Sequence, residues 1–211
     1  MKKFLLVIAT VLLALPSFAD CILNSTEFHK AYMDEPLVKK ATQYQGLFTN
    51  AQKEYLLDDN NPFDIRTAII NAFGFSLGER DFYGEMMEYM RDNLPKKNNI
   101  NTTKELSDEE IYEMASAEQL VILAYLNALD DLLDERDLTM MLVDKALAKP
   151  HKNCQSFMLP VTLIQVQDMD FSDRSNEVYP TFEKQVLLAP IKDVRTAGME
   201  EVMDYISYYI K

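Results

Sequence analysis

Positive charge and glycine are both scarce in this chain. Lysine and arginine total 21 against 34 aspartates and glutamates, a net charge of −13, and 211 residues include only five glycines, two histidines and two cysteines. Too few cations argues against nucleic acid or an anionic membrane surface as partner, because a surplus of carboxylates repels phosphate. His29 and His151 are far apart, and neither stands three or four residues from another ligand, so a zinc site is not expected. The two cysteines lack a C-x-x-C spacing, which removes the usual redox and zinc motifs. No cofactor is expected.

What the chain does have begins with MKKFLLVIATVLLALPSFAD. Lys2 and Lys3, the apolar run from Phe4 to Leu15, and small residues at Ser17 and Ala19 make a secretory signal peptide, with cleavage expected after Ala19. The run is shorter than the ~20 residues of a spanning helix, so no membrane insertion is expected after cleavage. Asp20 directly before Cys21 is a poor match to a lipidation signal. Residues 1–19 are therefore read as signal peptide and 20–211 as one helical domain, periplasmic or secreted. That domain keeps 19 basic against 34 acidic residues, a balance that serves solubility and favours a basic protein as partner. In an oxidising compartment Cys21 and Cys154 are expected to form a disulfide, worth about 4 to 5 kcal/mol by the chain-entropy argument for so long a loop.

The fold expected is mainly α: helical hairpins packed as a bundle or short repeat array, with a small strand pair in the C-terminal third. Apolar residues recur at helical spacing from Pro36 to Leu57, from about Asp64 to Leu77, and from near Asp81 to Pro95. Ser107 with Glu110, and Ser116 with Gln119, each fit a capping box that starts a helix. "EQLVILAYLNALDDLL" reads as a buried helix with "DLTMMLVDKALAK" as its partner. "FMLPVTLIQVQDM" is rich in β-branched residues and reads as a strand, and "AGMEEVMDYISYYI" as a helix.

"NAFGFSLGERDF" at 71–82 and "NALDDLLDERDL" at 127–138 share six of twelve residues in a constant register of 56. Ala68 falls on Ala124 and Ile70 on Leu126, so one helical hairpin occurs twice, near 64–95 and 117–150. Asp81 and Asp137 stand where the second helix of each copy needs its N-cap. Arg80 and Arg136 are expected to serve the turn chemistry. With Gly78 and Pro95 at the spacing of a turn glycine and a terminal proline, the paired hairpins resemble tetratricopeptide-type repeats, which implies a peptide- or protein-binding surface.

Gly74, Ser76 and Gly78 spell the G-x-S-x-G of a serine-hydrolase nucleophile elbow. An elbow needs a strand before its serine, whereas the preceding segment aligns with helical "VILAYL", and Leu132 replaces Ser76 in the second copy. "DMDFSDRSNEVY" opens like a calcium loop but has Asp173 for the required glycine and Tyr179 for the closing glutamate. Met86, Met87, Met90, Met140 and Met141 fall at core spacing. The function expected is that of an exported, non-enzymatic protein-binding protein, such as an immunity or inhibitor protein or an assembly factor. The alternatives are a serine hydrolase using Ser76 and a metal-binding protein.

Overall fold

The most apolar stretch of the sequence lies at the centre of the molecule. In a computed structural model of the chain, which describes residues 22–43, 48–74, 81–98, 105–130, 136–169 and 171–210, it forms Ala117–Asp130, with eleven of its fourteen residues buried. A helix apolar on all sides has to be enclosed by others. The helices are α1 Ile22–Ser25, α2 Pro36–Ala41, α3 Asn50–Leu57, α4 Phe63–Phe73, α5 Phe82–Lys97, α6 Asp108–Met114, α7 Ala117–Asp130, α8 Arg136–Ala148, α9 Gln155–Asp168, α10 Phe171–Phe182 and α11 Thr196–Ile206. A 3-10 turn, Phe28–Tyr32, follows α1; a π-helical turn, Glu183–Leu187, extends α10; a second 3-10 turn, Ser207–Tyr209, extends α11.

The inner layer is α4, α7 and α9, which pack on one another around one continuous core. The outer helices close over it: α3 and α5 on α7, α2 on α4, α10 on α9. The mainly α expectation is met, and two of its start signals are found where they were read. Ser107 Oγ accepts from the Glu110 N–H while the Glu110 carboxylate accepts from the Ser107 N–H, and Ser116 and Gln119 reciprocate in the same way. Met86, Met87 and Met90 are buried in the core.

Four expectations are corrected. The strand read at "FMLPVTLIQVQDM" is helix α9, and among the described residues the only β-type pairing is an isolated bridge between Cys154 and Ile191. Ten of the fourteen α9 residues are buried, including Val161, Thr162, Ile164 and Val166, so packing overrides their β preference. Cys154, at the N-cap, contributes no side-chain cap; Asp193 supplies it from outside, its two oxygens accepting from Ser156 N and Oγ, each at 2.8 Å. The single helix read over Pro36–Leu57 is two, because Thr49 and Gln52 form a capping box that starts α3 afresh. Pro95 lies inside the last turn of α5 rather than ending it. Asp81 caps α5, accepting from Gly84 N at 3.0 Å, but Asp137 lies within the first turn of α8.

The two hairpin copies pack differently. Helices α7 and α8 form the most extensive helix pair of the fold, joined by Asn127 Nδ2 donating to Thr139 Oγ1 at 2.8 Å. Helices α4 and α5 meet through Phe73 and Phe82, stacked at 4.8 Å, and α5 then packs mainly on α7. The connections at 75–80 and 131–135 lie outside the described residues.

Candidate functional site

Two polar constellations stand out, and their chemistry separates them. The first is built on the end of α3, whose last carbonyls need donors. Arg66, fully buried on α4, donates through Nε to Leu56 O (2.8 Å), through Nη1 to Glu118 (2.6 Å) and through Nη2 to Asp59 (3.2 Å). Its guanidinium lies 5.1 Å from the centre of the Phe63 ring. Gln119 Nε2 and Lys97 Nζ both donate to Leu57 O, at 2.9 and 3.0 Å. Burial opposes charge on both sides of the central pair, lowering the Arg66 pKa and raising that of Glu118, and the 2.6 Å contact offsets it. An open cleft of about 360 Å³ lies over this knot, lined by Asp59, Glu118, His151 and Lys152 among others. His151 stacks on Phe157 at 4.6 Å. The donors beneath the cleft are engaged in ending α3, and the knot acts structurally.

The second constellation lies where α11 crosses the 3-10 turn Phe28–Tyr32. Gly198 makes the approach possible: a Cβ there would stand 2.9 Å from Phe28 and 3.0 Å from Tyr32. The Tyr32 hydroxyl donates to Asp64 Oδ2 (2.8 Å) and accepts from Arg195 N (3.2 Å). The Arg195 guanidinium covers the Tyr32 ring at 4.5 Å and pairs with Asp34 (2.6 Å) and Glu35. Burial, the largest influence on both, raises the pKa of the Asp64 carboxyl and of the Tyr32 hydroxyl.

Behind this latch, Asn71 Oδ1 accepts from His29 N (2.9 Å) and lies 2.8 Å from His29 Nδ1. Asn71 Nδ2 donates to Leu23 O (2.9 Å), which fixes the amide orientation and assigns the His29 proton to Nδ1. Burial lowers the His29 pKa.

Toward the C-terminal end of α11 is a hollow of about 320 Å³, walled on one side by Ser25, Glu27 and Lys30 and on the other by Glu201, Asp204, Tyr205 and Tyr208. Lys30 Nζ sits 2.6 Å from Glu27 Oε2. The Tyr205 ring packs edge-on to Tyr208 at 6.3 Å and tilted against Tyr209 at 5.9 Å. Tyr208 is 84% exposed, and Ile210 follows it at the surface.

Ser76, Gly78, Arg80 and Cys21 lie outside the described residues. Gly74 is the C-cap of α4, so the residue two before Ser76 ends a helix and follows no strand. Arg136 is exposed at the start of α8. Asp168 ends α9, and the residues from Phe171 onward in the calcium-like segment form helix α10. Among the described residues no group of three or more His, Cys, Asp or Glu side chains is placed to hold a metal ion. Cys154 is buried, with Sγ 3.3 Å from Ser156 Oγ. Ile22 N, directly after Cys21, donates to Gln167 Oε1 at 2.6 Å. The Cys21–Cys154 disulfide expectation rests on Cys21 and so lies outside the described residues.

Sequence reasoning missed Arg66, Asp64, Tyr32 and Arg195. The visible signals were a lone arginine within the apolar "DIRTAIINAF" and the tyrosine-rich "YISYY". Compared with protein-family models, with curated proteins and with solved structures, the chain matches none.

Proposed function

We propose that this is an exported, non-enzymatic protein that works by binding another protein, of basic character, in the manner of an inhibitor or assembly factor. The observation that carries this is how its charges are distributed. Several of the scarce cations are engaged within the fold: Lys53 with Glu85, Arg66 with Glu118, Arg91 with Asp108, Lys145 with Glu109, Arg195 with Asp34. Lys149 donates to three carbonyls, those of Tyr112, Glu113 and Ala115. Carboxylates such as Glu88, Asp92, Asp144, Glu200 and Asp204 stand exposed with no ion-pair partner among the described residues. A surface so arranged attracts a cationic protein and speeds encounter with it at low salt. The two copies fit this reading as a duplicated helical pair providing a frame for the surface.

Affinity capture from periplasmic extract at micromolar bait tests the reading. The expected result is a stoichiometric basic protein, released when salt rises from low to high; recovery of no partner sinks it. N-terminal sequencing of the exported form checks cleavage after Ala19. Intact mass before and after alkylation checks the Cys21–Cys154 bridge. Labelling by a fluorophosphonate that disappears in Ser76→Ala would overturn the non-enzymatic assignment.

A further inference from the structure

We infer that α11 is a strap: hinged at Val194 and latched by Arg195, it opens as a unit and uncovers the aromatic pair Phe28 and Tyr32 while the rest of the fold stays closed. The way α11 is held carries this. Among the described residues it packs chiefly on the 3-10 turn Phe28–Tyr32, and its own 3-10 extension, Ser207–Tyr209, rests on α10. Three of its eleven residues are buried, Gly198, Val202 and Ile206, about one to each turn. In α7 the figure is eleven of fourteen. So narrow a stripe removes little apolar surface from water, and an element held by few buried contacts opens at far lower cost than the whole fold.

The chain is held differently on the two sides of half-buried Val194. Upstream it is pinned to the start of α9: Ile191 O accepts from Gln155 N at 2.9 Å, and the Asp193 oxygens accept from Ser156 N and Oγ. Downstream the ties come from Arg195, whose N–H donates to the Tyr32 hydroxyl (3.2 Å) and whose guanidinium donates to Ala31 O (3.3 Å), Asp34 and Glu35. Rotation about Val194 and Arg195 therefore lifts α11 without disturbing α9, the few-residue hinge that such motions use. Beneath α11, Phe28 and Tyr32 are fully buried, their ring centres 4.9 Å apart. Tyr32 stays bonded to Asp64 and the His29 N–H to Asn71, both on α4, so the turn persists when the strap lifts. The latch pairs are partly exposed, which leaves them open to screening by salt. Ionic strength thus sets how far the strap is open.

Hydrogen exchange of the full exported protein at neutral pH, followed peptide by peptide by mass spectrometry, tests the strap. Amides of α11 are expected to exchange at least about 100-fold faster than those of α7. Arg195→Ala is expected to speed α11 by about tenfold more and Asp34→Asn, an exposed change that spares the core, by about threefold, with α7 unchanged in both. Raising salt from about 0.01 M to about 1 M shortens the Debye length from about 30 Å to about 3 Å. It is expected to speed α11 in the native protein and not in Arg195→Ala, a response that apolar packing alone does not give. Hydroxyl-radical labelling of Phe28 and Tyr32 is expected to rise in Arg195→Ala. Exchange of α11 as slow as that of α7, equal acceleration of both helices by Asp34→Asn, no salt response in the native protein, or unchanged labelling of Phe28 and Tyr32 would each overturn the strap.

Discussion

The two hairpin copies, 63–97 and 117–148, share one register through 71–82 and 127–138, yet they do different jobs. In the second copy, α7 presents Leu120, Ile122 and Leu123 to its neighbours; at the same register in the first copy, α4 presents Asp64, Arg66 and Thr67, all buried as well. The shared asparagines diverge too. Asn127 bonds Thr139 of its own partner helix, whereas Asn71 reaches out to Leu23 and His29 of the N-terminal segment. The second copy closes as a hairpin on Asn127 and Thr139, while its Glu118, Gln119 and Asp130 answer groups of the first copy and of α3 at Arg66, Leu57 and Tyr83. The first is polar at its centre and acts as a hub, joining the end of α3, the N-terminal turn and α11. A duplicated sequence thus need not duplicate an architecture: a few buried polar residues decide whether a helix packs on its own partner or collects others.

The largest expected effect comes from making the first copy resemble the second. Arg66→Ile introduces the residue found at 122, strands Leu56 O and the Glu118 carboxylate, and is expected to cost about 3 kcal/mol or more in urea unfolding. Next is the asparagine pair. Asn71→Leu is expected to destabilise by about 2 kcal/mol because it orphans several buried groups at once, and Asn127→Leu by about 1 kcal/mol because it breaks the bond to Thr139 across the hairpin.

A pH series separates the copies further. The His29 pKa is lowered by burial, so the unfolded chain binds its proton first as pH falls below 6.5. Stability contributed by neutral His29 is therefore present above that value and lost as pH drops towards the folded pKa. Asp64 works in the opposite sense, since burial raises its pKa and the folded state takes up a proton before the unfolded chain does as pH falls. Thermal unfolding from pH 7 down to 5.5 is expected to show declining stability that His29→Gln flattens and Asn127→Leu leaves in place. The smallest effects are at the second helices. Asp81→Ala loses a real cap and about 1 kcal/mol, while Asp137→Ala loses only first-turn charge, about 0.3 kcal/mol, by the same unfolding assay.

The helices were legible where their signals are local. The capping boxes at Ser107 and Ser116 need only four consecutive residues, and the apolar run of α7 announces its own burial. Helix α9 was misread because its β-branched residues mislead locally and its cap, Asp193, comes from 37 residues away. The candidate site was illegible for the same reason carried further. Its walls, Glu27 and Lys30 on one side and Glu201 to Tyr208 on the other, belong to opposite ends of the described chain, and no spacing rule connects them. The charge imbalance was readable; the way Arg66 and Arg195 are held inside depends on packing.

The latch between Tyr32 and Arg195 spans 163 residues of sequence. Contacts of that separation carry a large loop-closure cost. A chain truncated before α11 would leave Phe28 and Tyr32 uncovered, so the C-terminal helix completes the N-terminal turn.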